Sequence, residues 1–223
     1  MVDSTLPSPL LSTLLASDLV DSTRLTGELG DKRAAELFVH HDRLARDLLA
    51  QLGGTEIDKT DGFLVLFERP INAVRFALAY HEGLAALGER LKVQLDARVG
   101  IHVGEVIRRQ NLPEDVARGA KPVEVEGIAK PMVARLMALA TGRQTLLSRA
   151  AFDLARVGGD RTLLEDGTMP AWRAHGEYLL KGFTEAMEVY EVGREGFAPL
   201  EPPDDTPKAQ RLVDPDTIIG WRP

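Results

Sequence analysis

The sequence predicts an α+β fold, in which helices pack on one mixed β-sheet. Short apolar or alternating runs that are typical of strands occur between longer stretches in which apolar residues recur three, four and seven positions apart, as on a buried helix face. The two kinds of segment follow one another in the order strand, helix, hairpin, helix, strand, helix, strand. This order is typical of a single sheet covered by helices.

The first half of the chain predicts two helices on either side of a tight hairpin. Asp21, Ser22 and Thr23 supply capping oxygens for the first helix, and we assign the capping role to Asp21. Gly53 ends that helix, and the Asp-Gly pair at 61–62 favours a hairpin between two short strands. We expect a strand at 13–20, a helix at 22–52, a hairpin at 55–59 and 63–67, and a helix at 70–81 that Pro70 opens.

The sequence of the second half predicts the remaining strands and helices. We expect a strand at 92–106, a helix at 127–141, a strand at 144–148, a helix at 150–157 and a closing hairpin at 176–181 and 187–192. Residues 108–124 are polar and irregular, which predicts a loop long enough to have a function or to be mobile.

The chain is expected to form one domain over residues 1–193. Residues 194–223 contain six of the 13 prolines and more acids than bases, which favours a linker or tail. The abrupt end at Pro223 leaves room for further domains in a longer chain.

The composition argues against several classes of function. A formal net charge of −7 disfavours nucleic acid and acidic membrane surfaces as partners. The absence of cysteine excludes disulfides, thiolate metal sites and a cysteine nucleophile. No apolar run approaches the roughly 18 residues of a membrane span, and residues 1–11 lack the features of a signal peptide. We therefore expect a soluble protein in the cytoplasm.

Four motifs follow one another over residues 10–193. They are SDLVDST at 17–23, KTDGF at 59–63, GIHVGE at 100–105 with VARLM at 133–137, and LKGF at 180–183 with VYEV at 189–192. Together they resemble the catalytic domain of the class III adenylate/guanylate cyclases. The resemblance implies a palm-type, ferredoxin-like fold. It also implies conversion of a nucleoside triphosphate to a 3′,5′-cyclic nucleotide and pyrophosphate, in cyclic-nucleotide signalling.

Asp18 and Asp61 are the metal ligands that the resemblance implies. In this reaction the ribose 3′-oxygen attacks the α-phosphorus, and two Mg²⁺ or Mn²⁺ ions acidify the hydroxyl and offset phosphate charge. The aspartates are 43 residues apart in the sequence, yet adjacent strands can bring both to one edge of a sheet. The alternatives are a helix-entry carboxylate for Asp18 and a turn-forming residue for Asp61.

The resemblance also implies which residues bind the phosphates. Arg135 would stabilise the pentavalent phosphorus, and Lys181 would hold the triphosphate. The helix that begins near Ser22 and Thr23 would direct its first N–H groups at the phosphates. The alternatives are an arginine whose stem covers the core and a solvated strand lysine. The family forms its sites in a head-to-tail homodimer, with aspartates from one chain and arginine from the other.

Lys59 and Glu124 are the nearest matches to the base-reading positions of the family. A lysine donates to a ring acceptor and a carboxylate accepts from an exocyclic amine, which favours ATP over GTP. The chain departs from the family twice. Its hairpin is shorter, so Lys59 lies two residues before the metal aspartate rather than four, and Pro131 replaces an asparagine that positions the ribose.

These departures leave two hypotheses. The chain is either an active cyclase that favours ATP, or a catalytically degenerate cyclase-fold module for dimerisation or nucleotide sensing in a larger signalling protein. A pyrimidine nucleotide stays open as the substrate. A cyclic-dinucleotide synthase is disfavoured because its Gly-Gly-Asp/Glu-Glu-Phe signature is absent. His102 alternates with apolar residues along its strand, so we interpret it as a packing residue.

Overall fold

A computed structural model of the protein describes residues 7–157, 164 and 166–212; the expectations for residues 1–6 and 213–223 lie outside that part of the chain. In the described part, nine strands form one mixed sheet with helices on both faces, which confirms the predicted α+β class. The strands are β1 (Leu10–Leu19), β2 (Thr55–Lys59), β3 (Phe63–Phe67), β4 (Ala97–Gln110), β5 (Val123–Glu126), β6 (Thr145–Ser148), β7 (Ala171–Leu180), β8 (Met187–Gly193) and β9 (Ala209–Arg211). The helices are α1 (Ser22–Leu29), α2 (Asp31–Leu52), α3 (Pro70–Leu91), α4 (Pro113–Ala117), α5 (Ala129–Leu139) and α6 (Arg149–Val157).

The strands lie in the order β2-β3-β1-β4-β6-β8-β7-β9, and β5 pairs with the far end of β4. Neighbouring strands are antiparallel except β4 and β6, whose parallel pairing requires a crossover that α5 provides. β1 pairs with β4 along its whole length and with β3 on its other side. Because β1 is antiparallel to both neighbours, its end lies beside the beginnings of β3 and β4.

The core has two layers because each face of the sheet is covered. On one face α2, α3 and α6 cover the sheet, and the buried residues include Leu15 of β1 and Phe76 of α3. On the other face α5 covers the sheet, and the buried residues include Leu14 of β1 and Val133 of α5. Successive residues of β1 thus serve opposite layers, as the alternation of a strand requires. Each of these fully buried apolar side chains contributes about 1.5–3 kcal/mol. Gly100 lets α5 approach closely, since a Cβ there would lie 2.5 Å from the Met137 nitrogen.

The first predicted helix is in fact two helices, and the predicted cap is wrong. Gly30, with φ 73° and ψ 158°, separates α1 from α2 because no helix accommodates that backbone. Asp21 precedes α1 in a left-handed conformation (φ 53°) and makes no side-chain capping bond. A capping side chain usually reaches the first-turn amides from the β region. The Asp21 carboxylate instead pairs with Arg24 at 3.3 Å.

β4 begins later than predicted and extends further. Lys92 has the left-handed conformation that ends α3, and the Val93 N–H donates to the Gly88 carbonyl oxygen. The first residues assigned to the strand therefore cap a helix.

The region predicted as a loop is a β arm. The end of β4 pairs with β5 over residues 107–110 and 123–126. The connection contains α4 and is closed by Asn111, whose side-chain amide donates to the Lys121 carbonyl oxygen at 2.8 Å. The sequence did not predict this pairing because both sides of the arm are partly solvated, and their scattered polar residues leave no regular apolar pattern.

Residues 194–212 pack onto the sheet, whereas the sequence predicted a linker or tail from residue 194. β9 pairs with β7. The fully buried Glu191 accepts hydrogen bonds from His175 and Gln144 at 2.7 Å and from the Leu200 N–H at 2.9 Å. Isolated contacts of this kind leave no periodic apolar pattern, so composition did not reveal them. No described helix is long and apolar enough to cross a lipid bilayer.

Candidate active site

Asp18 lies near the end of β1, directly opposite Arg98 of β4. The Arg98 guanidinium donates two hydrogen bonds to Asp18 Oδ2, one from Nε at 2.8 Å and a shorter one from Nη2. The Asp18 side chain is 17% exposed and that of Arg98 37%. Sequence analysis missed Arg98. The available signal was its place two residues before the GIHVGE motif, although only the β1–β4 register shows that it faces the aspartate.

Asp61 reaches the same position from the turn between β2 and β3. The Gly62 backbone packs directly on β1, since a Cβ there would lie 1.9 Å from the Ser17 carbonyl oxygen. The Phe63 N–H donates to Ser17 Oγ at 3.1 Å. Only glycine lets the turn lie this close, so the Asp-Gly pair both forms the turn and brings Asp61 to Asp18.

The carboxyl groups of Asp18 and Asp61 lie close enough for each to shift the pKa of the other. Burial raises the pKa of Asp18, and the charge on Asp61 adds to this rise, while the Arg98 guanidinium opposes it. The Ser22 hydroxyl donates to Asp61 Oδ2 at 2.6 Å, and this bond lowers the pKa of Asp61. Two carboxyl groups at this separation favour a shared proton or a cation between them.

The chemistry of this carboxylate pair fits Mg²⁺ or Mn²⁺. Within residues 7–157, 164 and 166–212, no three His, Cys, Asp or Glu side chains come together as a metal-binding group. Mg²⁺ is commonly held by one or two carboxylates, with waters and substrate phosphates completing its shell. The pair therefore suits a cation shared with a phosphate ligand and does not form an all-protein cage.

α1 begins beside the carboxylate pair, as expected from the motif at 17–23. Its first helical bond runs from the Leu25 N–H to the Asp21 carbonyl oxygen, so the N–H groups of Ser22 and Thr23 lie before the hydrogen-bonded part of the helix. Such a helix terminus attracts phosphate. The Ser22 hydroxyl already donates a hydrogen bond to Asp61, whereas the Thr23 side chain is exposed.

Arg135 and Lys181 lie together, away from the carboxylate pair. Arg135 Nε donates to the Lys181 carbonyl oxygen at 3.4 Å, which joins α5 to the turn after β7. β7 is four strands from β1 in the sheet, a separation of about 19 Å at the usual strand spacing. The two implied groups of site residues therefore do not meet within one chain.

Lys59 and Glu124 are not brought together either. Lys59 points toward α2, where Nζ lies 2.9 Å from Asp42 Oδ2 and 5.8 Å from the centroid of the Phe38 ring. A register shift in β2 between Glu56 and Asp58 accompanies this orientation. Glu124 lies in β5 and pairs across the arm with the end of β4.

Other charged side chains surround the opening between the β2–β3 hairpin and α5. A cavity of about 180 Å³ is lined by residues that include Ser17, Asp58, Lys59, Gly62 and Lys130. Asp58 forms an ion pair with Lys121 of the β4–β5 connection, and this pairing lowers the pKa of Asp58. The sequence did not single out Asp58 or Lys121.

His102 is part of the strand packing in the structure. Its Nδ1 lies 2.9 Å from Ser148 Oγ, and burial lowers its pKa to about 4. The ring is therefore neutral at neutral pH, in agreement with a structural role.

Known structures with the same fold are nucleotidyl cyclases, although no family model and no curated protein matches the sequence. The adenylyl cyclase CyaB from P. aeruginosa aligns with a TM-score of 0.71 at 18% identity, over 83% of this chain and 96% of that one. The guanylyl cyclase Cya2 aligns with a TM-score of 0.69 at 22% identity, over 84% and 94%. An adenylate cyclase from Trypanosoma brucei in its monomeric state gives 0.66 at 23% identity, over 85% and 93%. The protein thus has the fold of adenylyl and guanylyl cyclase domains.

Proposed function

We propose that this chain is a nucleotidyl cyclase domain that converts a nucleoside triphosphate, with ATP favoured, to a 3′,5′-cyclic nucleotide and pyrophosphate. The contact between Asp18 and Asp61 carries the proposal. Two carboxyl groups of one sheet, each from a different strand end, meet in front of a helix N-terminus in a fold that solved adenylyl and guanylyl cyclases share.

In this proposal Asp18 and Asp61 hold Mg²⁺ or Mn²⁺, two ions per site. The bound ions would acidify the attacking hydroxyl and offset part of the negative charge on the phosphates. The first-turn amides of α1 bind phosphate oxygens at the same place. Arg98 contributes a guanidinium next to Asp18, where it can donate two parallel hydrogen bonds to a phosphate once a cation has taken over the carboxylate.

Arg135 and Lys181 act in this proposal from a second copy of the chain. Lys181 follows β7, four strands from β1 in the sheet, and Arg135 donates to its carbonyl oxygen, which supports a site completed by two protomers. A two-fold, head-to-tail homodimer brings the Arg135 of one protomer to the carboxylates of the other and forms two equivalent sites. There the guanidinium stabilises the charge that develops as the 3′-oxygen attacks phosphorus.

The base is read in this proposal by polar groups near the β2–β3 hairpin. Lys59 lines the adjoining cavity together with Asp58 and Lys130, although its ammonium group pairs with Asp42. A carboxylate that accepts from an exocyclic amine and an ammonium group that donates to a ring nitrogen suit adenine. ATP therefore remains the favoured substrate, with Glu124 as a further acceptor.

A second candidate function is a cyclase-fold module that binds a nucleotide or a second copy without turnover. Two observations favour it. Arg98 occupies Asp18 Oδ2, so a cation must compete with an ion pair. Pro131, which lies in the first turn of α5, has no side-chain donor for a ribose. Loss of one positioning contact lowers rates by about 10²-fold.

Product analysis tests the proposal. The protein is incubated with ATP, GTP, CTP or UTP and Mn²⁺, and the products are identified by mass spectrometry. Asp18→Asn and Asp61→Asn preserve shape and remove a charge, while Asp21→Asn is the matched control, an exposed carboxylate three residues from Asp18. We expect a cyclic nucleotide from the wild type and from Asp21→Asn only. A folded dimer that forms no product from any of the four nucleotides would support the binding module instead.

A further inference from the structure

A buried histidine lies beneath the carboxylate pair and takes no part in the proposed chemistry. His41 of α2 is fully buried. Its Nδ1 lies 3.2 Å from Asp42 Oδ1, and its Nε2 lies 2.6 Å from the Tyr80 hydroxyl of α3. Burial lowers the pKa of His41, so the ring is neutral at neutral pH. A buried polar group of this kind is kept only where its hydrogen bonds are satisfied.

The donors and acceptors of this group fix one direction of hydrogen bonding. A carboxylate only accepts, so His41 Nδ1–H donates to Asp42 and the unprotonated Nε2 accepts from the Tyr80 hydroxyl. The Ser17 hydroxyl lies close enough to Tyr80 to oppose the rise that burial causes in the tyrosine pKa, and the Ser17 oxygen accepts from the Phe63 N–H at 3.1 Å. The neutral His41 ring thus has one donating and one accepting nitrogen, and both are used.

The network closes on the turn that carries Asp61. At one end Asp42 pairs with Lys59 at 2.9 Å, two residues before Asp61. At the other end Ser17 accepts from the amide of Phe63, two residues after it. His41 also packs against the ring of Phe63, with 5.4 Å between the ring centroids. Both sides of the turn thus contact this buried group or the residue before Asp18.

We propose that His41 and Tyr80 are positioning residues for the carboxylate pair. They hold the hairpin turn against the end of β1, so that Asp61 meets Asp18 at the separation a divalent cation requires. This inference rests on the proposed function only in taking the pair as the cation site. Residues that orient metal ligands from behind typically contribute about 10–100-fold to metal affinity.

Three variants separate this role from simple stabilisation. Tyr80→Phe keeps the ring and removes only the hydroxyl, and His41→Leu removes both ring nitrogens. His41→Gln is the conservative variant, because its amide can donate to Asp42 and accept from Tyr80. His81→Leu is the matched control: His81 follows Tyr80 on α3 and is buried, but its Nε2 pairs with Thr145 of β6 instead.

The measurement is the dissociation constant for Mn²⁺ alone, from the electron paramagnetic resonance signal of the free ion, with Asp61→Asn as the baseline. Thermal unfolding confirms that each variant is folded at the temperature used. We expect Tyr80→Phe and His41→Leu to weaken Mn²⁺ binding by about tenfold or more. His41→Gln should restore most of the affinity, and His81→Leu should leave it unchanged even if it lowers the melting temperature.

Several outcomes overturn the inference. One is wild-type Mn²⁺ affinity in both Tyr80→Phe and His41→Leu, and another is an equal loss of affinity in His81→Leu. The third is that Asp61→Asn binds Mn²⁺ as the wild type does, so that the carboxylate pair is not the Mn²⁺ site. If His41→Leu does not fold, Tyr80→Phe decides the question because it conserves volume. A wild type that binds Mn²⁺ yet forms no cyclic nucleotide contradicts the proposed function alone and leaves the positioning role intact.

Discussion

Gly62→Ala should separate the two carboxyl groups without altering either of them. A Cβ at this position would lie 1.9 Å from the Ser17 carbonyl oxygen, 2.5 Å from its carbon and 2.7 Å from Asp18 Cα. Ordinary contact begins near 3.4 Å, so the turn must move by roughly 3.4 − 1.9 = 1.5 Å. All three obstructing atoms belong to backbone in a central strand, so the hairpin rather than the strand must give way.

The expected magnitude has two parts. Overpacking of this kind costs about 1–3 kcal/mol of stability. A displacement of about 1 Å in a reacting group lowers rates by about 10²-fold. We therefore expect Gly62→Ala to fold with a lower melting temperature, to bind Mn²⁺ weakly and to lose about 99% of its cyclase rate, equivalent to that 10²-fold.

The assay compares Gly62→Ala with Gly27→Ala. Gly27 lies in α1 and a Cβ there meets no atom within 4 Å, so alanine should be neutral or slightly stabilising. Melting temperature, Mn²⁺ affinity and cyclase rate are measured for both variants. Wild-type Mn²⁺ affinity and rate in Gly62→Ala would refute the reasoning, because the turn would then not set the distance between the carboxyl groups.

Three further changes have defined outcomes. Burial raises the pKa of Asp18, so its contribution to stability is greatest in acid and is lost as the pH rises through the raised pKa. Asp18→Asn should therefore have a higher melting temperature than the wild type at neutral pH. In thermal scans the difference in melting temperature should shrink toward acid pH. Arg98→Gln removes the charged hydrogen bonds that Arg98 is proposed to donate to a phosphate, worth about 1.5–3 kcal/mol, so KM for the triphosphate should rise about tenfold or more in steady-state kinetics. An unchanged KM would show that Arg98 does not bind the phosphate. Glu191→Ala removes the acceptor for buried His175, Gln144 and the Leu200 N–H, at a cost of about 1–3 kcal/mol for each group left unsatisfied. Denaturant unfolding should show this loss, and hydrogen exchange should rise first at residues 198–212.

The order of elements in the sheet could be predicted because periodic patterns and turn residues mark them. The hairpin at 61–62, the helix after Gly127 and the closing strands all have local signals. The β arm at 107–126 and the packing of 194–212 have none. They depend on isolated contacts such as the Asn111 amide and the buried Glu191, which a single sequence does not display.

The candidate site could be predicted only in part, for the same reason. Asp18 and Asp61 follow from the motifs, and the structure brings them together. Arg98 was missed because its role depends on cross-strand register. Lys59 was predicted at the base, yet the structure pairs it with Asp42, since the sequence does not reveal the register shift in β2. His41 had no partner at a recognisable sequence spacing, and its bond to Tyr80 spans 39 residues.

Complementation tests the central claim, a cyclase site that two protomers share, most directly. Asp61→Asn and Arg135→Ala proteins are assayed for cyclic nucleotide separately and after mixing in equal amounts. We predict that each alone is inactive and that the mixture recovers about a quarter of wild-type activity, since half of the dimers are mixed and each mixed dimer has one intact site. A mixture as inactive as its components, although exchange of subunits is demonstrated, would contradict the shared site.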